Sequence, residues 1–188
     1  MKRLLLVDDD PLVLFALKDS LSRLVQDWRV EAFSDPNVAL ARLKDVGFDV
    51  IVSDYRMPQM NGIDFLRSAC RIQPHVVRII LSSSSDFEIV QQAINEVEIY
   101  RYLAKPWVES DLIRHVTEAM AHADQTRVER ELADSMRVQQ GVLSAGEQEL
   151  RRLEELEPGL TVVEWGPNGE ILMPEDLLVF ADNSLTSK

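Results

Sequence analysis

Short apolar runs alternate with longer stretches in which apolar residues recur three and four apart, and this rhythm holds from residue 2 to about 125. Such alternation is the mark of β-α units laid into a parallel sheet. Five strands are expected, at Leu4 to Val7, Arg29 to Phe33, Val50 to Ser53, Val77 to Ser82 and Arg101 to Leu103. Leu4-Leu5-Leu6-Val7 and Val76 to Leu81 are apolar without alternation, as strands covered on both faces should be. Helices fill the gaps. Asp10-Pro11 reads as N-cap and first helical position before Leu14, Leu17, Leu21 and Leu24, and Ile63, Leu66, Ala69 and then Ile89, Ala93, Ile94 repeat the spacing. The expected architecture is a three-layer α/β sandwich.

Past residue 108 the helical rhythm does not stop where a compact domain would end it. Leu112, Val116, Met120, Val128, Leu132 and Met136 predict one long projecting helix. Gly141 weakens it, and Ser144-Ala145-Gly146-Glu147 has capping-box spacing, so a break near 141–144 and a new helix carrying Leu150, Leu153 and Leu156 are expected. After Pro158-Gly159, the segments Thr161 to Trp165 and Glu170 to Met173 flank Asn168-Gly169, a hairpin turn signal, and a short helix is expected around Glu175 to Phe180. The domain reading is a body at 1–125, a helical extension at 126–157 and a small tail at 158–188.

Composition narrows the function classes. A net charge of -12 argues against non-specific attraction to nucleic acid or anionic membrane. Residues 126 to 188 hold 6 basic and 13 acidic residues, net -7, and no basic recognition helix, which disfavours a DNA-binding output. The lone Cys70 and the apolar stretch of only four residues before Asp8-Asp9-Asp10 suggest a reducing cytoplasm, and no apolar run reaches the roughly 20 residues of a membrane helix.

The residues at the strand ends carry chemistry, since in a doubly wound sheet the functional groups gather beyond the carboxyl ends of the strands. Strand one leads into Asp8 and Asp9, strand three into Asp54, strand four ends at Ser82, and Lys105 follows strand five. Carboxylates packed on one edge repel unless a cation compensates, so the cluster implies a hard metal with oxygen ligands, Mg2+ being the natural choice. Metal, lysine, hydroxyl and a nucleophilic carboxylate together suit phosphoryl transfer, with Asp54 the best-placed acceptor.

At these same residues the sequence resembles the receiver domain of two-component response regulators, over roughly residues 1 to 122. The matching features are Leu4 to Pro11, Asp54-Tyr55-Arg56-Met57-Pro58-Gln59-Met60-Asn61-Gly62, Ile79-Ile80-Leu81-Ser82 and Tyr102-Leu103-Ala104-Lys105-Pro106. The resemblance implies a flavodoxin-like parallel sheet of order 2-1-3-4-5. It implies that Asp54 accepts a phosphoryl group from a histidine kinase or phosphotransfer protein, and that Asp9, Asp54 and the Arg56 carbonyl bind Mg2+ with Asp8 assisting through water. Ser82, in place of the commoner threonine, and Lys105 would contact the phosphoryl oxygens. Tyr102 would be the aromatic switch, and the Lys105-Pro106 bond would be cis. Ser84 and Arg56 flank the site at positions where family members tune dephosphorylation.

Other residues have plainer expectations. Asp10 is a helix cap, Cys70 a small core residue, and His75, His115 and His122 are structural or exposed. Tyr102 to Trp107 looks most like receivers in front of cyclic-di-nucleotide phosphodiesterase domains, yet no catalytic histidine-aspartate pair follows. The expected function is therefore that of a non-enzymatic response regulator. It would catalyse only its own phosphorylation and dephosphorylation, and it would signal to an unidentified protein or through a homodimer built on the extension. The alternative is a regulatory stub that binds a nucleotide through the C-terminal segment.

Overall fold

The computed structural model describes residues 1–21, 28–83, 97–160, 164–165 and 171–172. Five strands, β1 (Lys2–Val7), β2 (Trp28–Phe33), β3 (Val50–Asp54), β4 (Val77–Ser83) and β5 (Arg101–Lys105), form one sheet of order β2-β1-β3-β4-β5, and every pairing is parallel. This is the five-stranded doubly wound arrangement expected. Leu24, the pattern at Ile89 to Ile94, Ser84, Ser85, the turn at Gly166 to Gly169 and the helix at Glu175 to Phe180 lie outside the described residues.

Alternate residues of each buried strand enter opposite cores. Leu4, Leu6, Val50, Val52, Ile79 and Leu81 point to one face and Leu5, Val7, Ile51 and Ile80 to the other. Helix α1 (Pro11–Leu21) covers the first face with Leu14, Leu17 and Leu21. Helices α2 (Pro36–Asp45) and α3 (Gly62–Ile72) cover the second with Ala39, Leu43, Phe65, Leu66 and Ala69. Each start is capped as its sequence dictates. Asp10 accepts from the Leu12 N–H at 2.8 Å with Pro11 behind it, Asp35 accepts from Asn37 at 2.8 Å, and Asn61 accepts from Asp64 at 2.9 Å.

Every strand runs further than expected: β1 starts at Lys2, β2 at Trp28, and β4 ends at Ser83. β3 includes Asp54, and β5 continues past Leu103 to Lys105 because Ala104 and Lys105 stay paired with Ser82 and Ser83. Cys70 is half-buried and not a core residue, because the inward face of α3 is already filled by Phe65, Leu66 and Ala69.

Helix α4 (Glu109–Gln139) buries Leu112, Val116, Ala119, Met120 and Ala123, completing the first core. The single apolar stripe expected along it does not exist. Steps of four residues turn about 40° too far each time, so the stripe winds round the helix, and Val128, Leu132 and Met136 emerge exposed. After α4 the chain turns at Gly141, the one described glycine with positive φ (71°), and Leu143 is buried in the turn. Helix α5 (Ala145–Leu156) starts on a complete capping box. Ser144 Oγ accepts from Glu147 at 3.2 Å and the Glu147 carboxylate accepts from the Ser144 N–H at 2.8 Å.

Helix α5 returns alongside α4. Arg130 meets Glu155 at 2.6 Å, Arg151 meets Asp134 at 3.2 Å, and Gln148 donates to Ser135 at 3.0 Å. The extension thus folds back toward the sheet edge from which β1 and β3 start. A separate antiparallel pair, β6 (Glu164–Trp165) and β7 (Ile171–Leu172), forms the small hairpin.

Candidate functional site

The carboxyl ends of β1, β3, β4 and β5 converge because their register brings them level. Val7 pairs with Ser53, Asp54 with Leu81, Leu81 with Leu103, and Ser82 with Ala104. Asp8 follows β1 and Asp54 ends β3, and both are almost wholly buried, while Asp9 is exposed. One carboxylate oxygen from each of Asp8, Asp9 and Asp54 lies within 4.8 Å of the others.

Lys105 Nζ donates to Asp8 Oδ2 at 2.6 Å and lies 2.5 Å from Asp54 Oδ1. The second Asp54 oxygen accepts from the Arg56 N–H at 2.7 Å, and the second Asp8 oxygen from the Asp10 N–H at 3.0 Å. Both oxygens of each buried carboxylate therefore have a donor, which orients them. Burial pushes the Asp8 carboxyl above its ordinary 3.8, against the pull of Lys105 and the Asp10 N–H and with a further push from Asp54. Burial also works against the charge on Lys105, but its hydrogen bonds to Asp54 and Asp8 outweigh this and hold the ammonium above its ordinary value.

Three carboxylates facing one ammonium leave two negative charges, all on hard oxygen donors. That set fits a divalent hard cation. Ser82, buried at the end of β4, and Lys105 complete the edge. Tyr102 on β5 is half-buried, and its hydroxyl donates to the carbonyls of Ser82 at 3.2 Å and Ser83 at 3.1 Å, tying it to the strand end that carries the serine. The Lys105-Pro106 bond is cis.

Of the remaining expected residues, Arg56 stands beside Asp54, while His75 and His122 lie elsewhere. Arg56 is exposed, with its backbone N–H on Asp54. His75 lies away from the site with its pKa lowered by burial and by Arg130 nearby, and His122 stacks on Tyr100 with ring centroids 4.9 Å apart. Sequence reasoning missed the part played by Gly62. A Cβ there would sit 2.1 Å from the Asp54 carbonyl oxygen, so glycine alone lets the start of α3 close over the backbone of Asp54. Its N–H donates to the Tyr55 carbonyl at 2.8 Å, closing the loop between them. The signal was its place at the end of the run Asp54 to Gly62.

A parallel sheet of this order with an acid cluster and a lysine at its carboxyl edge defines a receiver-type signalling domain. The chain belongs to the response regulator receiver family, whose family model matches residues 4–117. It is homologous to two-component response regulators. The hydrogenase transcriptional regulatory protein HoxA of Cupriavidus necator is 35% identical over 135 residues, covering 70% of this chain and 27% of that protein. The chemotaxis protein CheY of Thermotoga maritima is 29% identical, covering 60% of this chain and 92% of that protein. The crystal structure of the signal receiver domain of an HD domain-containing protein from Pseudomonas fluorescens Pf-5 matches with a TM-score of 0.62 and 32% identity, covering 67% of this chain and 91% of that one. The chain spans only about a quarter of the length of the HoxA relatives, 27% and 24%. No helix among the described residues is long and apolar enough to cross a membrane.

Proposed function

We propose that the chain is a phosphorylation-controlled response regulator in the cytoplasm, in which Asp54 accepts a phosphoryl group from the phosphohistidine of a sensor kinase or phosphotransfer protein. The observation that carries this is the position of Asp54, buried at the end of β3, with Lys105 on one oxygen and the Arg56 N–H on the other. In the transfer an Asp54 oxygen attacks phosphorus, the phosphorus–nitrogen bond breaks, and the imidazole leaves with a proton from solvent.

Mg2+ is the divalent cation this reading places at Asp9, Asp54 and the Arg56 carbonyl, with Asp8 behind it, and it supplies positive charge against the transferred oxygens. Asp8 orients Lys105, which then follows the phosphoryl oxygens, and Ser82 offers them a hydroxyl. Tyr102 is the switch residue, since any movement of Ser82 toward the phosphoryl group displaces a carbonyl that holds the Tyr102 hydroxyl. The chain is then a phosphoacceptor acting only on itself.

The docking face for the donor is suggested by Leu12 and Phe15, which stand exposed on α1 directly after the acid cluster. The output runs to an unidentified downstream protein and through a homodimer of the extension. The dimer is supported by the exposed Val128, Leu132 and Met136, and the acidic extension makes DNA an unsuitable partner. No observation among the described residues favours the nucleotide-binding alternative.

Acetyl phosphate with Mg2+ tests the central step by intact mass. One phosphoryl group is expected on the natural chain and none on Asp54→Asn or after chelation. An Asp54→Asn chain labelled to the same extent would remove the assignment.

A further inference from the structure

The hold of the C-terminal arm on the receiver is concentrated at one joint. The loop between α2 and β3 passes Gly47, whose N–H donates to the Leu156 carbonyl at 2.9 Å. That carbonyl belongs to the last turn of α5, where the helix supplies no N–H of its own. A Cβ on Gly47 would lie 2.0 Å from the Glu155 carbonyl oxygen and 3.1 Å from that of Leu156, so backbone meets backbone with no room for a side chain. The fit is reciprocal. Gly159, just beyond α5, would with a Cβ stand 3.1 Å from the Lys44 carbonyl oxygen at the end of α2.

The receiver half of this joint is built from its own interior. Gln73, buried at the end of α3, donates to the carbonyls of Leu43 and Val46 at 2.7 Å each and accepts from the Phe48 N–H at 2.9 Å. The residues on both sides of Gly47 are therefore pinned, and the seat does not need the arm in order to form. The arm itself is weakly held elsewhere. No residue of α5 is fully buried, and its polar links to α4 include the Arg130–Glu155 and Arg151–Asp134 pairs and the Gln148–Ser135 hydrogen bond, each open to solvent and individually weak.

We propose that the reciprocal glycine joint is a latch, the contact that fixes α5 to the receiver and whose opening frees the arm while the receiver stays folded. A helix with no core of its own belongs to the low-stability end of a structure, where local opening precedes global unfolding. Gly47 precedes β3 and Asp54 ends it, so the latch and the acid cluster lie at opposite edges of the sheet. The arm can therefore open without disturbing the site.

Hydrogen exchange on the full chain, read by mass spectrometry, tests the latch. Gly47→Ala is expected to speed exchange across 148–156 by about tenfold or more while β1, β3 and β4 keep their protection. Tryptic cleavage at Arg151 and Arg152 should accelerate in parallel. Unchanged protection of 148–156 in Gly47→Ala would overturn the proposal, because the polar seam alone would then hold the arm. Should Gly47→Ala also loosen the strands, Gly159→Val decides, because it crowds the Lys44 carbonyl from the arm's side of the joint and leaves the receiver's residues unchanged. Faster exchange confined to α5 upholds the latch, and protection equal to the natural chain overturns it.

Discussion

Lys105 and Asp54 meet at 2.5 Å across the carboxyl edge of the sheet, the lysine at the end of β5 and the aspartate at the end of β3. The same ammonium reaches Asp8, so one lysine separates two buried carboxylates. Removing it leaves them facing each other without compensation. Lys105→Ala should therefore lower the stability of the metal-free protein by about 1–3 kcal/mol and enlarge the stabilisation gained from added Mg2+. Labelling should survive while the conformational response weakens, because in the proposed mechanism the lysine would meet the new phosphoryl charge. Thermal melts with and without Mg2+ check this, and equal Mg2+ gains in the two proteins would contradict it.

The pairing of Glu31 on β2 with Arg42 on α2 makes a prediction in pH. Arg42 donates from Nε at 2.8 Å and from Nη2 at 3.1 Å, and these bonds, against some burial, hold the Glu31 carboxyl below its ordinary 4.5. As pH falls, the unfolded chain takes up this proton before the folded one does. The stability supplied by the pair is complete above 4.5 and is lost as pH falls through the lowered folded value. Glu31→Gln should cost about 1 kcal/mol at neutral pH, and the difference should shrink on acidification. Urea titrations across the acid range would show a constant difference if the pair contributes nothing.

Arg78 at the start of β4 is buried with its charge, donating to the carbonyls of Val97 at 2.9 Å, Val76 at 3.0 Å and Pro74 at 3.3 Å, and to the Glu98 carboxylate at 3.1 Å. Arg78→Met should cost about 3–5 kcal/mol by stripping these buried carbonyls of their donor. Arg78→Lys should recover less than half of that, since an ammonium cannot span the same fork. A lysine variant as stable as the natural chain in urea would refute the geometric argument.

Val128, Leu132 and Met136 stay exposed on α4 with α5 folded back, so they remain available to a second copy. Light scattering at roughly tens of micromolar should find a dimer, and Leu132→Glu should convert it to a monomer by placing a charge in the contact. A monomeric natural chain would remove the dimer from the proposal.

The sheet and the acid cluster were legible because their signals are local. Leu4 to Val7 and Ile79 to Leu81 are uninterrupted, and Asp8, Asp54 and Lys105 sit where their strands end. The extension was harder, since Leu112 to Met136 reads as one stripe in a list of apolar spacings while its angular drift carries the last three residues to the far side of the helix. Gln73, Arg78 and Gly47 gave no sequence signal. Their partners are backbone atoms far along the chain, Leu43 and Val46 for Gln73, Val97 for Arg78, Leu156 for Gly47, and a carbonyl carries no trace of residue identity.

Helix α4 leaves the receiver core at Ala123 and continues to Gln139, an overhang of about 24 Å. A tilt of about 10° at its root would swing the tip through about 4 Å, more than the length of a hydrogen bond. With Val128, Leu132 and Met136 spaced along that overhang, a small rearrangement around β5 is magnified where a neighbouring chain would grip it. The geometry gives the molecule mechanical advantage, so a partner seated near Met136 would register displacements that are barely measurable at the sheet.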